Sequence, residues 1–187
     1  NTEQKISLIQ LKVQTLRDAK QFARALQVLD DSLKQYPGNT DLLYDRSMVY
    51  ERLNRIAESE RDLREILRVK PDDAMTLNAL GYTLADRTDR LPEALVLIEK
   101  AHKAQPNDPY ILDSLGWVKY RMGKLDESLD LLNRAYAIKT DPEIAAHLGE
   151  VLWAMGRQGE ARTMWQGSLK DNPGHETLMQ VIQRLDH

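Results

Sequence analysis

One spacing constrains this chain more than its composition does. Prolines close charged helical runs at Pro37, Pro71, Pro106 and Pro173. The first two steps are 34 and 35 residues. The third is 67, nearly two such steps, with Thr140 standing where a proline would fall between them. Gly81, Gly116 and Gly149 are spaced by 35 and 33 residues, and Ala25, Ser59, Ala94, Ser128 and Ala161 recur at 33 to 35. Such a period, with helical patterning on both sides of a turn, describes stacked helix-turn-helix units. None of these can bury its apolar face alone.

The stretch "YILDSLGWVKYRMGKLDESL", residues 110–129, puts Gly116 inside a helix. Glycine there costs about 1 kcal/mol relative to alanine. A cost repeated at a fixed period points to two helices approaching closely at Gly81, Gly116 and Gly149. The small residues of the second helices serve the same packing. At about 100° per residue, Leu112, Leu115, Gly116 and Met122 share one arc flanked by Ile111 and Val118, which is the expected core. In "HETLMQVIQRLDH", Leu178, Ile182 and Leu185 form an apolar stripe beside polar Glu176, Gln183, Arg184 and Asp186. This predicts a C-terminal capping helix over 175–186. Leu8 and Leu11 fall off the core arc of the first helix. They read as a face for an upstream repeat, as a self-association surface, or as stray exposed leucines.

Composition narrows the function classes. The net charge is −3, and no basic block interleaved with aromatics marks a nucleic-acid surface. No apolar run reaches the roughly 20 residues of a membrane helix. The absence of cysteine removes disulfides, thiolate catalysis and cysteine zinc sites. The chain opens on Asn1 without a signal peptide, as either a mature chain or an excised piece would.

The two best copies read "PYILDSLGWVKYRMGKLDESLDLLNRAYAI" and "PEIAAHLGEVLWAMGRQGEARTMWQGSLKDNP". Both resemble the tetratricopeptide repeat. They carry Leu-Gly in the first helix, glycine at the turn (Gly123, Gly156) and a small residue early in the second helix. Ala135 and Pro173 match later positions. The resemblance implies an all-α, right-handed tetratricopeptide solenoid. A single domain is expected over 1–187, with repeats near 6–39, 40–73, 74–108, 109–141 and 142–174. The first two copies are degenerate, with Val13 and Ser47 in place of the helix glycine.

In this family the first helices line a concave groove. Tyr110, Asp113, Trp117 and Tyr120 form a stripe opposite the core arc. Its equivalents are Met75, Asn78, Tyr82 and Ala85 in the third copy, and Asp41, Tyr44, Met48 and Glu51 in the second. In the fifth they are Glu143, Ala146, Glu150 and Trp153. That surface is aromatic and acidic, and none of its positions holds Lys or Arg. Aromatic anchors with a polar rim are the usual means of protein recognition. The expected protein-binding residues are Tyr44, Met48, Asn78, Tyr82, Tyr110, Asp113, Trp117, Tyr120, Glu150 and Trp153. The alternative is that Trp117 and Tyr82 pack between adjacent helices. Some tetratricopeptide domains hold a C-terminal carboxylate with a Lys/Asn/Arg clamp. Here the fifth and ninth repeat positions carry Gln10 and Gln14, Tyr44 and Met48, Asn78 and Tyr82, or Asp113 and Trp117, so that clamp is absent.

Chemistry-bearing motifs are few. Among His102, His147, His175 and His187, one local cluster arises: Glu143, His147 and Glu150 at i, i+4, i+7. His and carboxylates can ligate zinc, but paired histidines are lacking, and a solvated helix face is the expectation. No GxSxG elbow, P-loop or GxGxxG stretch occurs. Asp72 and Asp73 sit at a turn, where carboxylates cap helices. The mixed-charge run 51–73 reads as a solvated outer face. No catalytic residue, cofactor or metal is expected, and the chain reads as a non-enzyme.

The segment from "NALGYTLADRTDRLPEALVLIEKAHKAQP" through "GEARTMW" resembles the C-terminal part of a proteobacterial tetratricopeptide lipoprotein family that partners a carboxyl-terminal processing protease. That resemblance implies a periplasmic location on the outer membrane, through an N-terminal lipid absent from this chain. It also implies an adaptor role toward that serine protease and toward cell-wall hydrolase substrates. The alternative is a general interaction module, acting as an envelope assembly scaffold or chaperone.

Overall fold

The computed structural model describes residues 1–186, and His187 lies outside them. Among the described residues the chain forms eleven helices and no strand. They are α1 (Thr2–Asp18), α2 (Phe22–Gln35), α3 (Thr40–Arg52), α4 (Ile56–Val69), α5 (Ala74–Arg87), α6 (Leu91–Ala104), α7 (Pro109–Arg121), α8 (Leu125–Ile138), α9 (Pro142–Ala154), α10 (Gln158–Asp171) and α11 (Glu176–Leu185). Odd helices pack against the even helices on either side, and α1 on α3, α5 on α7, α7 on α9 and α9 on α11, which is the arrangement of a tetratricopeptide solenoid.

Local chemistry sets the register. The first helix of each pair starts on a side-chain cap: Asn1, Asn39, Asp73, Asp108 and Asp141 each accept from backbone N–H groups of the first turn. Each such cap is worth about 1 kcal/mol. Pro109 and Pro142 follow their caps at the first helical position, where no backbone donor is needed. The second helices have no side-chain cap. They are held instead by burial of one face. Ala25, Ser59, Ala94, Ser128 and Ala161 are all fully buried.

The period-locked glycines do what their spacing implied. A Cβ on Gly81 would lie 2.5 Å from Ile98 Cγ1, and one on Gly116 would lie 2.7 Å from Leu132 Cγ. On Gly149 it would lie 2.0 Å from the Trp165 Nε1. α5, α7 and α9 therefore rest directly on α6, α8 and α10. Ser128 Oγ adds a 2.7 Å hydrogen bond to the Gly116 carbonyl. Leu112, Leu115, Ile111 and Val118 are buried as expected, whereas Met122 falls at the end of α7 and is half-buried. On α11 the buried pair is Leu178 and Val181; Ile182 and Leu185 are half-buried because the stripe turns toward α9.

The run 51–73 is not wholly a solvated face. Glu60, Arg64, Arg90 and Glu93 do form a surface ion-pair network between α4 and α6. Asp62, however, is buried and held by a bidentate pair of bonds from Arg46 at 2.7 and 2.9 Å, with Asp30 on the guanidinium's third nitrogen. The solenoid also curls tightly. Lys20, after α1, meets Glu176 at the start of α11, 156 residues away.

Candidate functional site

The curl decides the fate of the concave stripe. Three first helices, α5, α7 and α9, close on one another and fill the expected groove with their own side chains. Trp117 is 6% exposed and stacks on His147, with ring centroids 4.3 Å apart. His147 Nδ1 lies 2.9 Å from Asp113 Oδ1, and its Nε2 lies 3.3 Å from the Tyr82 hydroxyl. Tyr82 thus reaches across two repeats. Trp117 also packs on Tyr120 at 5.0 Å. Tyr120 donates to Glu150 over a long 3.4 Å, and Arg184 of α11 donates to the other oxygen of Glu150 at 2.8 Å.

Three residues expected in the groove, Asp113, Trp117 and Glu150, are buried against the protein's own side chains. The physical reason is the small radius of the curl: an aromatic stripe on a tight concave face meets itself before it meets anything else. Tyr44, Met48, Asn78, Tyr82, Tyr120 and Trp153 are half-buried, and Tyr110 is exposed. Trp153 stacks on Trp165 and lies beneath Arg162. Tyr110 donates to Asp141 at 3.2 Å and takes Lys139 on its hydroxyl and ring.

The Glu143–His147–Glu150 face is likewise not a solvated one. His147 and Glu150 are buried, Glu143 is exposed, and no metal-holding group of His, Cys, Asp or Glu occurs among the described residues. His147 instead is the hub of a buried polar network. Asp113 and His147 stand 34 residues apart, one repeat period, and that spacing was the signal by which sequence alone could have paired them.

Electrostatics mark the surviving concave surface as acidic. Burial alone would lower the His147 pKa. The Asp113 carboxylate outweighs it, with Glu143 and Asp86 adding, and the net direction is upward. Burial holds the Tyr82 hydroxyl well above its ordinary value, and Asp86, Asp113, Glu143 and Glu51 push the same way. Burial also raises Glu51. Arg87 and Arg52 oppose that shift, and Asp86 and Glu143 reinforce it. Carboxylates from four repeats thus act on the network.

Open space includes two clefts. One cleft of about 240 Å³ runs between α1, α3, α4 and α5, lined by Gln10, Asp41, Tyr44, Lys70 and Met75. Met75 is 60% exposed there. A second, of about 460 Å³, lies on the outer side between α8 and α10, lined by Leu129, Tyr136, Leu152 and Met164. On α1, Leu8 is 67% exposed, while its register equivalents Leu42, Thr76, Ile111 and Ile144 are buried beneath the preceding second helix.

Comparison with known proteins agrees with this architecture. A tetratricopeptide-repeat family model matches residues 16–80. A tetratricopeptide-repeat-containing protein of Pseudomonas aeruginosa is 50% identical over 145 residues, covering 78% of this chain and 25% of that protein. The chain thus spans about a quarter of the length of that relative. Among solved structures, a thermophilic tetratricopeptide-repeat protein of Thermus thermophilus superposes with a TM-score of 0.84 at 20% identity, covering 96% of this chain and 98% of that one. The pilF protein of Pseudomonas aeruginosa gives 0.72 at 19% identity, covering 98% and 83%. The fold is a tetratricopeptide-repeat solenoid.

Proposed function

We propose that this chain is the protein-binding part of a non-catalytic adaptor. In this reading it holds a periplasmic carboxyl-terminal processing protease and brings it cell-wall hydrolases as substrates. The parent protein is anchored to the outer membrane by an N-terminal lipid. The observation that carries the general part is a curved solenoid whose buried polar residues are spent on its own packing, while clefts and apolar side chains stay open at its edges. The finer part rests on the resemblance of the segment from Asn78 to Trp165 to the lipoprotein family.

The mechanism is tethering. Two proteins on one rigid scaffold meet at an effective concentration set by the scaffold, so each contact can be weak. Partner contact falls on the residues that remain accessible. These are Tyr44, Met48 and Met75 along the α3–α5 edge and Tyr110 on α7, with the other half-buried stripe residues as supporting walls. Trp117, Asp113 and Glu150 hold the scaffold rigid.

The test is reconstitution. Purified protease and a cell-wall hydrolase are mixed with and without the chain, and hydrolase loss is followed by gel. Faster degradation that is weakened at least several-fold by Tyr44→Ala with Met75→Ala, helical content being unchanged, is the expected result. An unchanged degradation rate with the wild-type chain, together with no co-elution of chain and protease, would sink the adaptor reading.

A further inference from the structure

Between α1, α2 and α3, a cleft of about 230 Å³ is lined by Gln14, Arg17, Asp18, Lys20, Phe22 and Arg52. It is cationic in a chain whose concave face is otherwise acidic. Asp18 is occupied by Gln14. Arg17 lies within electrostatic reach of Asp45 and Tyr44. Arg52 is steadied by its guanidinium lying 5.3 Å above the Phe22 ring. The cleft already holds a carboxylate. Glu176 reaches in from α11 and sits 3.2 Å from Lys20 Nζ and 3.6 Å from Arg52.

We propose that this cleft is a binding site for an acidic peptide segment, and that Glu176 occupies it in cis as an intramolecular stand-in. Three cations face two carboxylates, Asp18 and Glu176, so the seated side chain still leaves positive charge unanswered. A segment carrying several Asp or Glu residues answers it better. Glu176 and Lys20 are largely solvent-exposed, and exposed ion pairs are weak and screened by salt. The stand-in is therefore displaceable. Its release frees the start of α11 from the first two repeats, and the curl of the solenoid loosens between Lys20 and Glu176. Lys20 is further marked by its backbone, which adopts φ 54° at a turn where the fourth and fifth repeats place Gly123 and Gly156. The amino-acid side chain is kept where glycine would fit with less strain.

The site lies outside the positions of the carboxylate clamp considered above, and it does not depend on the protease reading. Its test contains no protease. An acetylated, amidated, fluorescein-labelled hexaglutamate peptide is titrated into the chain at on the order of 50 mM salt, where screening is modest, and anisotropy is read. Removing the competitor with Glu176→Gln should tighten binding by about two- to fivefold, the range an exposed pair supports. Arg17→Gln with Arg52→Gln, which keeps the Lys20–Glu176 pair, should weaken it at least tenfold. Hexaglutamine should not bind. The chain has no cysteine, so spin labels at Gln21→Cys and Gln180→Cys report this loosening directly. Their separation should lengthen on adding hexaglutamate and in Glu176→Gln. Binding that ignores both the arginine and the Glu176 changes, or binding with an unchanged label separation, would overturn the proposal.

Discussion

The sharpest consequence of the packing is that one substitution, glycine to alanine, changes sign along a single helix pair. Alanine favours a helix interior by about 1 kcal/mol over glycine. At Gly149 in α9 that gain is overwhelmed. The new Cβ would stand 2.0 Å from Nε1, 2.4 Å from Cε2 and 2.6 Å from Cδ1 of Trp165. Carbon contacts settle at about 3.5–4.0 Å, so the indole must retreat by more than an ångström. It has nowhere to go: Trp165 is fully buried, stacks on Trp153 and donates to the Ala146 carbonyl. Overpacking costs about 1–3 kcal/mol, occasionally more, and a rigid bicyclic ring belongs at the upper end. The net loss for Gly149→Ala is about 2 kcal/mol, a Tm lower by roughly 4–8 °C for a chain of this size. In α10, Gly159 and Gly167 meet nothing within 4 Å. Alanine there should gain about 0.5–1 kcal/mol each and raise Tm by roughly 1–4 °C. Thermal unfolding by circular dichroism at one scan rate measures all three. A Gly149→Ala chain as stable as the wild type would refute the reasoning, as would Gly159→Ala melting no higher than Gly149→Ala. Trp165→Phe should cost less in the Gly149→Ala background than in the wild type.

Other outcomes follow from the buried polar groups. The His147 pKa is raised in the fold, so its pairing with Asp113 contributes stability fully below the unfolded value of 6.5, and that contribution is lost as pH rises through the folded value. Wild type minus Asp113→Asn, by denaturant titration, should therefore shrink as pH climbs above 6.5; a difference independent of pH from 5.5 to about 9 would contradict the pairing. Trp117→Ala should cost about 3–5 kcal/mol, so it lowers Cm along with any binding; a fully stable Trp117→Ala chain would return that side chain to the open groove. Arg46→Ala strands the buried Asp62 carboxylate and should cost about 3–5 kcal/mol, whereas Arg46→Met with Asp62→Leu should be much milder; equal losses in the two chains would show that the ion pair itself is the source of stability.

Much of this protein was legible in the order of its residues. The recurrence of Gly81, Gly116 and Gly149 with the small second-helix residues is a local pattern, and it specified where helices touch because only a missing Cβ permits that approach. Cap residues at Asn39, Asp73, Asp108 and Asp141 likewise announce helix starts by the hydrogen bonds they accept over three residues. The fate of Trp117 was not legible. Whether a concave stripe is a groove or a core depends on how far the superhelix bends, and that bend is the sum of small rotations at every repeat interface. Tyr82 meets His147 across two repeats, and Lys20 meets Glu176 across the whole chain. No spacing rule reaches that far. Sequence alone determined the repeat and its contact faces, because those are written in neighbours one turn or one period apart. Tertiary structure decided which side chains remain for a partner, because curvature accumulates along the solenoid and closes its inner face.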